Sequence, residues 1–223
     1  MKRVIFLAMV VAGLAAGPAH AQFGVAWRHV PAIAVISAEG DPRLPLVDEA
    51  IAFWNGTLEE SGSAFRLGPA TRVVQPVPEE ALHTLSGSVT GATFGRPQIP
   101  PALRGLPGDL TILLGESDFI SFAGPFDPAG KRVVGIRGPN HPPMNLPNVA
   151  RNVIAHEIGH ALGLGHNSDP AMLMCGRPAD CRPSLFRSIA PRMFPLTVQE
   201  MQRLLALYPA DWKPQPRREP AGR

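Results

Sequence analysis

Residues 156–166 read His-Glu-Ile-Gly-His-Ala-Leu-Gly-Leu-Gly-His, and no other stretch constrains the chain as tightly. On a helix, His156 and His160 stand four positions apart and project from one face. Two imidazoles so placed can reach one metal ion. Glu157 follows the first of them, close enough to meet a metal-bound water without occupying a ligand position. Gly163 tolerates positive φ and lets the chain turn sharply out of the helix. That turn can bring His166 to the same ion. Three neutral imidazoles leave the fourth position of a tetrahedral zinc open to water, which marks a catalytic site and not a structural one. Chance would produce these five identities somewhere in such a chain about 3 times in 100,000. Three of the six histidines beyond residue 21 fall in the pattern, so a coincidental pair in a core helix is the poorer explanation.

The N-terminus points to export. Lys2 and Arg3 precede an apolar run from Val4 to Leu14, and Ala19-His20-Ala21 forms a small-x-small site before Gln22. Residues 1–21 read as a signal peptide, with an uncleaved anchor as the alternative. The run is short for a membrane span. The expected location is secreted or periplasmic, with no membrane association after cleavage. Losing Lys2 and Arg3 lowers the formal net charge from +3 to +1, so nucleic acid is not implied as a partner. Cys175 and Cys181 are the only cysteines, and in an oxidising compartment they read as a disulfide, with two free thiols as the alternative.

Helix and strand patterns alternate along the rest. Val30–Ser37 reads as a strand. Val47, Ile51, Trp54 and Leu58 recur at helical spacing behind a candidate cap at Asp41, and Gly56 weakens the far end. A second strand is expected around Arg72–Val74, a Pro-rich loop over Arg96–Gly108, and a buried strand over Asp109–Leu114. Lys131–Arg137 carries charges at its ends, which suits the protected edge of a sheet. Asn148 is a candidate N-cap for the histidine-bearing helix, which Gly163 stops. Thr197 and Glu200 form a capping box for a last helix to Leu207, with Val198, Met201, Leu204 and Leu205 as its apolar face. One domain over 22–208 and a disordered Pro/Arg-rich tail over 209–223 follow.

The run HEIGHALGLGH resembles the zinc signature of the metzincin metalloendopeptidases, and it is most similar to the matrixin branch, which includes the matrix metalloproteinases. The family has a Met-turn beneath the zinc; Met174, eight residues after His166, matches its spacing better than Met172. The resemblance implies an α/β (α+β) zincin catalytic domain. Its parts would be a twisted mixed sheet with an edge strand over the cleft, a zinc-binding helix and a C-terminal helix. It implies a monomeric peptidase with one catalytic Zn²⁺ on His156, His160 and His166, and Glu157 as general base. A peptide or protein substrate would lie along Val133, Val134, Gly135 and Ile136.

The chain departs from the family in places. Asn167 follows the third histidine where matrixins usually have Ser or Thr. Gly176 stands where astacins and serralysins place Tyr. Cys175-Gly176-Arg177-Pro178 replaces the usual proline after the Met-turn. The run CGRPAD at 175–180 resembles a cysteine switch, but its place after the Met-turn makes it a loop instead. His29, His83 and His141 lack the paired spacing of a second metal site. Asp118 and Asp127 are the only suggestion of calcium, without a dense ligand loop to support it. The competing function is a secreted zinc-holding binding protein without useful hydrolysis; Glu157 argues against it, because a structural site has no need of that carboxylate.

Overall fold

Three of the five strands are buried on both faces, which is why their sequences show no apolar–polar alternation. The computed structural model describes residues 26–90, 98–126, 130–176, 188 and 190–216. The expected signal peptide, Asp127, Cys181 and the last seven residues lie outside them. The chain runs β1 (Ile33–Ser37), α1 (Leu44–Glu60), β2 (Ala70–Val74), α2 (Glu79–Thr90), α3 (Pro101–Arg104), β3 (Leu110–Leu114), β4 (Phe122–Phe126), β5 (Arg132–Ile136), α4 (Pro147–Ala161) and α5 (Val198–Leu207). The sheet order is β2-β1-β3-β5-β4. Only β4 runs antiparallel to its neighbour. The mixed α/β architecture expected from the sequence is the one observed.

The two faces of the sheet meet different helices. Val35, Ile112 and Val134 join α1 and α4 in the larger core, while Ile36, Leu113 and Val133 join α2 and α3 in the smaller one. Val47, Ile51, Trp54 and Leu58 are all buried, as their spacing predicts. Trp54 Nε1 donates to the carbonyl of Ala155 at 2.9 Å, locking α1 to the turn of α4 that starts the histidine motif. Gly56 does not end α1, which continues to Glu60. Nor does Asp41 cap it. Its carboxylate accepts from the Arg43 backbone N–H at 2.8 Å and from the Arg43 guanidinium at 2.6 Å.

Lys131–Arg137 is not the edge of the sheet. β5, with Val133, Val134, Gly135 and Ile136, lies between β3 and β4, and the edge strands are β2 and β4. The terminal charges misled because protein groups engage them, not solvent. Lys131 Nζ donates to the carbonyls of Leu106 and Gly108 at 2.6 and 2.9 Å. Arg132 is buried, with its guanidinium 3.9 Å from the Trp27 ring centroid and donating to the Ala161 carbonyl. Arg137 pairs with Asp118 at 2.5 Å.

The cap of α4 and the apolar face of α5 differ from expectation. Asn148 lies inside α4 and is buried, whereas Leu146 holds the N-cap position without a side-chain bond. Asn148 Nδ2 donates instead to the carbonyls of Ser188 and Ala190, and Asn152 Nδ2 to that of Arg192. These two asparagines, one turn apart, hold the extended segment that leads to α5. On α5 the capping box of Thr197 and Glu200 is present, but Val198 is 68% and Leu205 37% exposed while Leu204 is buried. Past Tyr208, Trp212 meets Phe65 edge-on at 4.8 Å and donates to the Trp27 carbonyl at 3.2 Å, and Gln215 N–H donates to the Arg28 carbonyl.

Candidate metal centre

Helix α4 ends in a Schellman motif, and that motif shapes the site. The N–H of Leu164 reaches the Gly159 carbonyl at 3.0 Å, and the N–H of Gly163 reaches that of His160 at 2.9 Å. Gly163 has φ +98°, a conformation a side chain would strain. The turn places the Leu164 carbonyl 2.8 Å from His160 Nδ1. The Leu173 carbonyl stands 2.8 Å from His156 Nδ1. A carbonyl only accepts, so both imidazoles carry their proton on Nδ1 and turn the Nε2 lone pair inward.

His166 completes the set. The Nε2 atoms are 3.1 Å apart for His156 and His160, 3.2 Å for His156 and His166, and 3.0 Å for His160 and His166. Neither helical Nε2 donates to the other, so their lone pairs face each other, an arrangement that a cation between them would satisfy. Tetrahedral zinc with bonds of about 2.0–2.1 Å spaces its nitrogens about 3.3–3.4 Å apart. The triangle is within a few tenths of an ångström of that, so these residues fit zinc. All three protein ligands are neutral donors with exposure on one side: His160 is buried, His156 half-buried and His166 exposed. Burial, followed by the other two imidazoles, holds His160 well below the usual histidine range. Burial also lowers His166. Both are therefore kept in the form that binds metal.

Glu157 is buried. Burial pushes it up to about 8. A carboxyl so placed is costly to ionise.

Met174 is fully buried beneath α4. The glycine of the motif explains how it fits. A Cβ at Gly159 would stand 2.6 Å from Met174 Sδ and 2.8 Å from the Trp54 ring. Gly176 plays the corresponding part at the bend: a Cβ there would overlap the His166 ring. The Tyr that other branches carry at this position is thus replaced by a residue laid flat on the third imidazole.

Several supporting residues carry no signal in the sequence. Arg132 and Tyr208 hold the C-terminal carbonyls of α4. Arg132 bonds Ala161, and the Tyr208 hydroxyl donates to Leu162 at 3.0 Å while accepting from the Trp27 N–H at 3.3 Å. A cation near a helix C-terminus also complements the helix dipole. Cys175 is buried beside the site. Val133, Val134 and Ile136 are buried in the sheet interior, and β4, beyond β5, is one of its two edge strands, with β2 the other. Asp118 is engaged by Arg137, and His29 by Asp109 at 3.2 Å. His83 bonds Ser117 and His141 bonds the Glu116 carbonyl. Among the described residues the triad is the one cluster of three or more metal-ligating side chains.

The matrixin family model matches residues 142–186, the segment that builds this centre. No curated protein matches the chain in sequence. Among solved structures, archaemetzincin from Methanopyrus kandleri is similar over 81% of this chain and 96% of that one, with 19% identity and a TM-score of 0.46. Through its signature segment the chain is a metzincin-like protein, which supports a zinc peptidase.

Proposed function

We propose that the chain is an exported zinc metalloendopeptidase of matrixin type. The observation that carries this reading is the convergence of three Nε2 atoms within 3.2 Å of one another, with the buried Glu157 directly after the first of the three histidines. His156, His160 and His166 would hold the ion. When bound, zinc supplies Lewis acidity and makes water acidic enough to serve as a nucleophile near neutral pH. Glu157 accepts a proton from the attacking water as general base and delivers it to the leaving amine. A cation nearby favours the carboxylate form and so opposes the effect of burial, which leaves Glu157 able to do both. Met174 is a floor under the ligands and not a reagent. The peptide would lie extended along β4, adding as a further strand at the open edge. Phe122 and Ala123 of β4 are held in register by Gly135 and Val134, so β5 braces the strand that substrate would meet.

Export through a signal peptide over residues 1–21 and a Cys175–Cys181 disulfide belong to the same proposal. Such a short cross-link would pin the loop after Met174 more than it would stabilise the whole fold. The buried Glu157 disfavours a zinc-holding binding protein. The test is digestion of a peptide library by the purified mature chain with and without chelator. Cleavage that chelator stops and zinc restores supports a peptidase. A protein that binds stoichiometric zinc and cleaves nothing sinks it.

A further inference from the structure

His166 differs from the other two histidines in what holds it. His156 and His160 lie on α4, and a backbone carbonyl accepts from Nδ1 of each. His166 lies on the bend and is exposed, and among the described residues nothing bonds its Nδ1. Its ring must be aimed by the chain on either side of it. That chain is fixed at Asn167. The Asn167 N–H donates to the Met174 carbonyl at 2.9 Å, and the Gly176 N–H donates to the Asn167 carbonyl at 3.0 Å. The two bonds form an isolated parallel bridge that lays Gly176 against the His166 ring.

The side chain of Asn167 ties this bridge to α5. Its Nδ2 donates to Glu200 Oε1 at 2.6 Å, and its Oδ1 accepts from the Asp169 N–H at 2.8 Å. Glu200 is buried, and its other oxygen accepts from the Thr197 N–H at 2.7 Å as part of the capping box. One carboxylate thus closes the start of α5 and grips the residue beside the third ligand.

We propose that Asn167 is a positioning residue for His166, with Glu200 as its anchor on α5. The amide is suited to the task in a way that Ser or Thr is not. An amide carries donor and acceptor on separate atoms and so reaches Glu200 and the Asp169 N–H in two directions, whereas a hydroxyl has both on one oxygen of a shorter side chain. Residues that orient a metal ligand from behind typically change metal affinity 10–100-fold when altered. The inference rests on the metal site proposed above and not on proteolysis.

Asn167→Asp sets two carboxylates against each other, and Glu200→Gln is the milder change because its amide oxygen still accepts from Thr197. The double variant Asn167→Asp/Glu200→Gln exchanges donor and acceptor and restores the bond. Zinc affinity is read by competition with a chromogenic chelator, ligand geometry by the visible spectrum of the cobalt-substituted protein, and the fold by thermal unfolding of the zinc-free chain. Asn167→Asp is expected to weaken zinc binding roughly 10–100-fold and to alter the cobalt bands, and the double variant to recover most of both. If all variants bind zinc as tightly as the wild type with the same cobalt spectrum, the inference fails. It fails equally if the double variant is as weak as the two single effects combined, or if only zinc-free stability changes. A wild-type chain that binds no zinc would instead end the metal reading itself.

Discussion

The two halves of the metal centre are built by different means. The helical half, His156 and His160, rests on periodicity: one face of α4, two imidazoles four residues apart, each Nδ1 fastened to a carbonyl. The half at the bend, His166 with Met174 and Gly176, rests on partners brought from elsewhere in the chain. Asn167 reaches Glu200, and the N–H of Leu173 reaches the Pro195 carbonyl at 2.8 Å. The first half is rigid because its helix is buried. The second is only as rigid as its attachments to α5 and the segment before it. An ion shared by both couples a stable element to a conditional one, so perturbations on the two sides should separate into different readouts.

The largest expected effect lies on the helical side. Glu157→Gln removes the base while keeping shape, and peptide cleavage is expected to fall about 10²–10⁴-fold. Zinc content, measured by metal analysis after gel filtration, is expected to stay at one per chain, since Glu157 is not among the ligands. A variant that cleaves as fast as wild type removes Glu157 from the mechanism.

The same division explains what could be read from the sequence. The paired spacing of His156 and His160 and the bend at Gly163 are legible because local geometry alone sets them: helical spacing and a positive φ. The sheet edge was not. Lys131, Arg132 and Arg137 look like charges protecting an edge, and nothing local shows that two carbonyls, the end of α4 and Asp118 take them up. Nor did Asn148 announce that it binds a segment 40 residues away rather than the helix start. β4 itself escaped notice because Gly124 and Pro125 break any strand pattern in Phe122–Phe126. Helix α2 carries little signal in the sequence, because Ser86, Gly87, Ser88 and Thr90 dilute its apolar face.

A pair of glycine substitutions tests the comparison next. Gly176→Ala presses on the His166 ring, so zinc affinity is expected to fall at least roughly tenfold. Gly159→Ala presses on Met174 and Trp54 instead, with an expected loss of about 1–3 kcal/mol of stability from overpacking and little change in affinity for the folded protein. Chelator competition and denaturant unfolding distinguish them. Equal effects on both readouts would mean that the halves are not separable.

Proton linkage gives a smaller, signed effect. In the zinc-free protein burial raises Glu157 to about 8, against an ordinary carboxyl near 4.5. Between those values the folded state holds a proton that the unfolded chain has released, so this group's contribution to stability is lost as pH rises through the window. His160 works in the opposite direction: its value is lowered, so its contribution is lost as pH falls below about 6.5. Glu157→Gln keeps a neutral side chain at every pH. In chelator its melting temperature relative to wild type is expected to rise steadily from pH 5 to pH 8. A constant difference across that range would show that the buried carboxyl does not titrate there.

The smallest effect on the ion itself is expected from behind the helix. Tyr208→Phe leaves the Leu162 carbonyl and the Trp27 N–H without their shared hydroxyl, a cost of about 1–3 kcal/mol for buried groups left unpaired. For a chain of this size that corresponds to a fall of roughly 2–4 °C in melting temperature per kcal/mol. Because Tyr208 holds the end of α4 and not the bend, zinc affinity and the cobalt spectrum are expected to remain those of wild type. If the substitution instead weakens zinc as much as Asn167→Asp does, the helical half is no more self-sufficient than the bend, and the ion is placed by the closure of the whole C-terminal region.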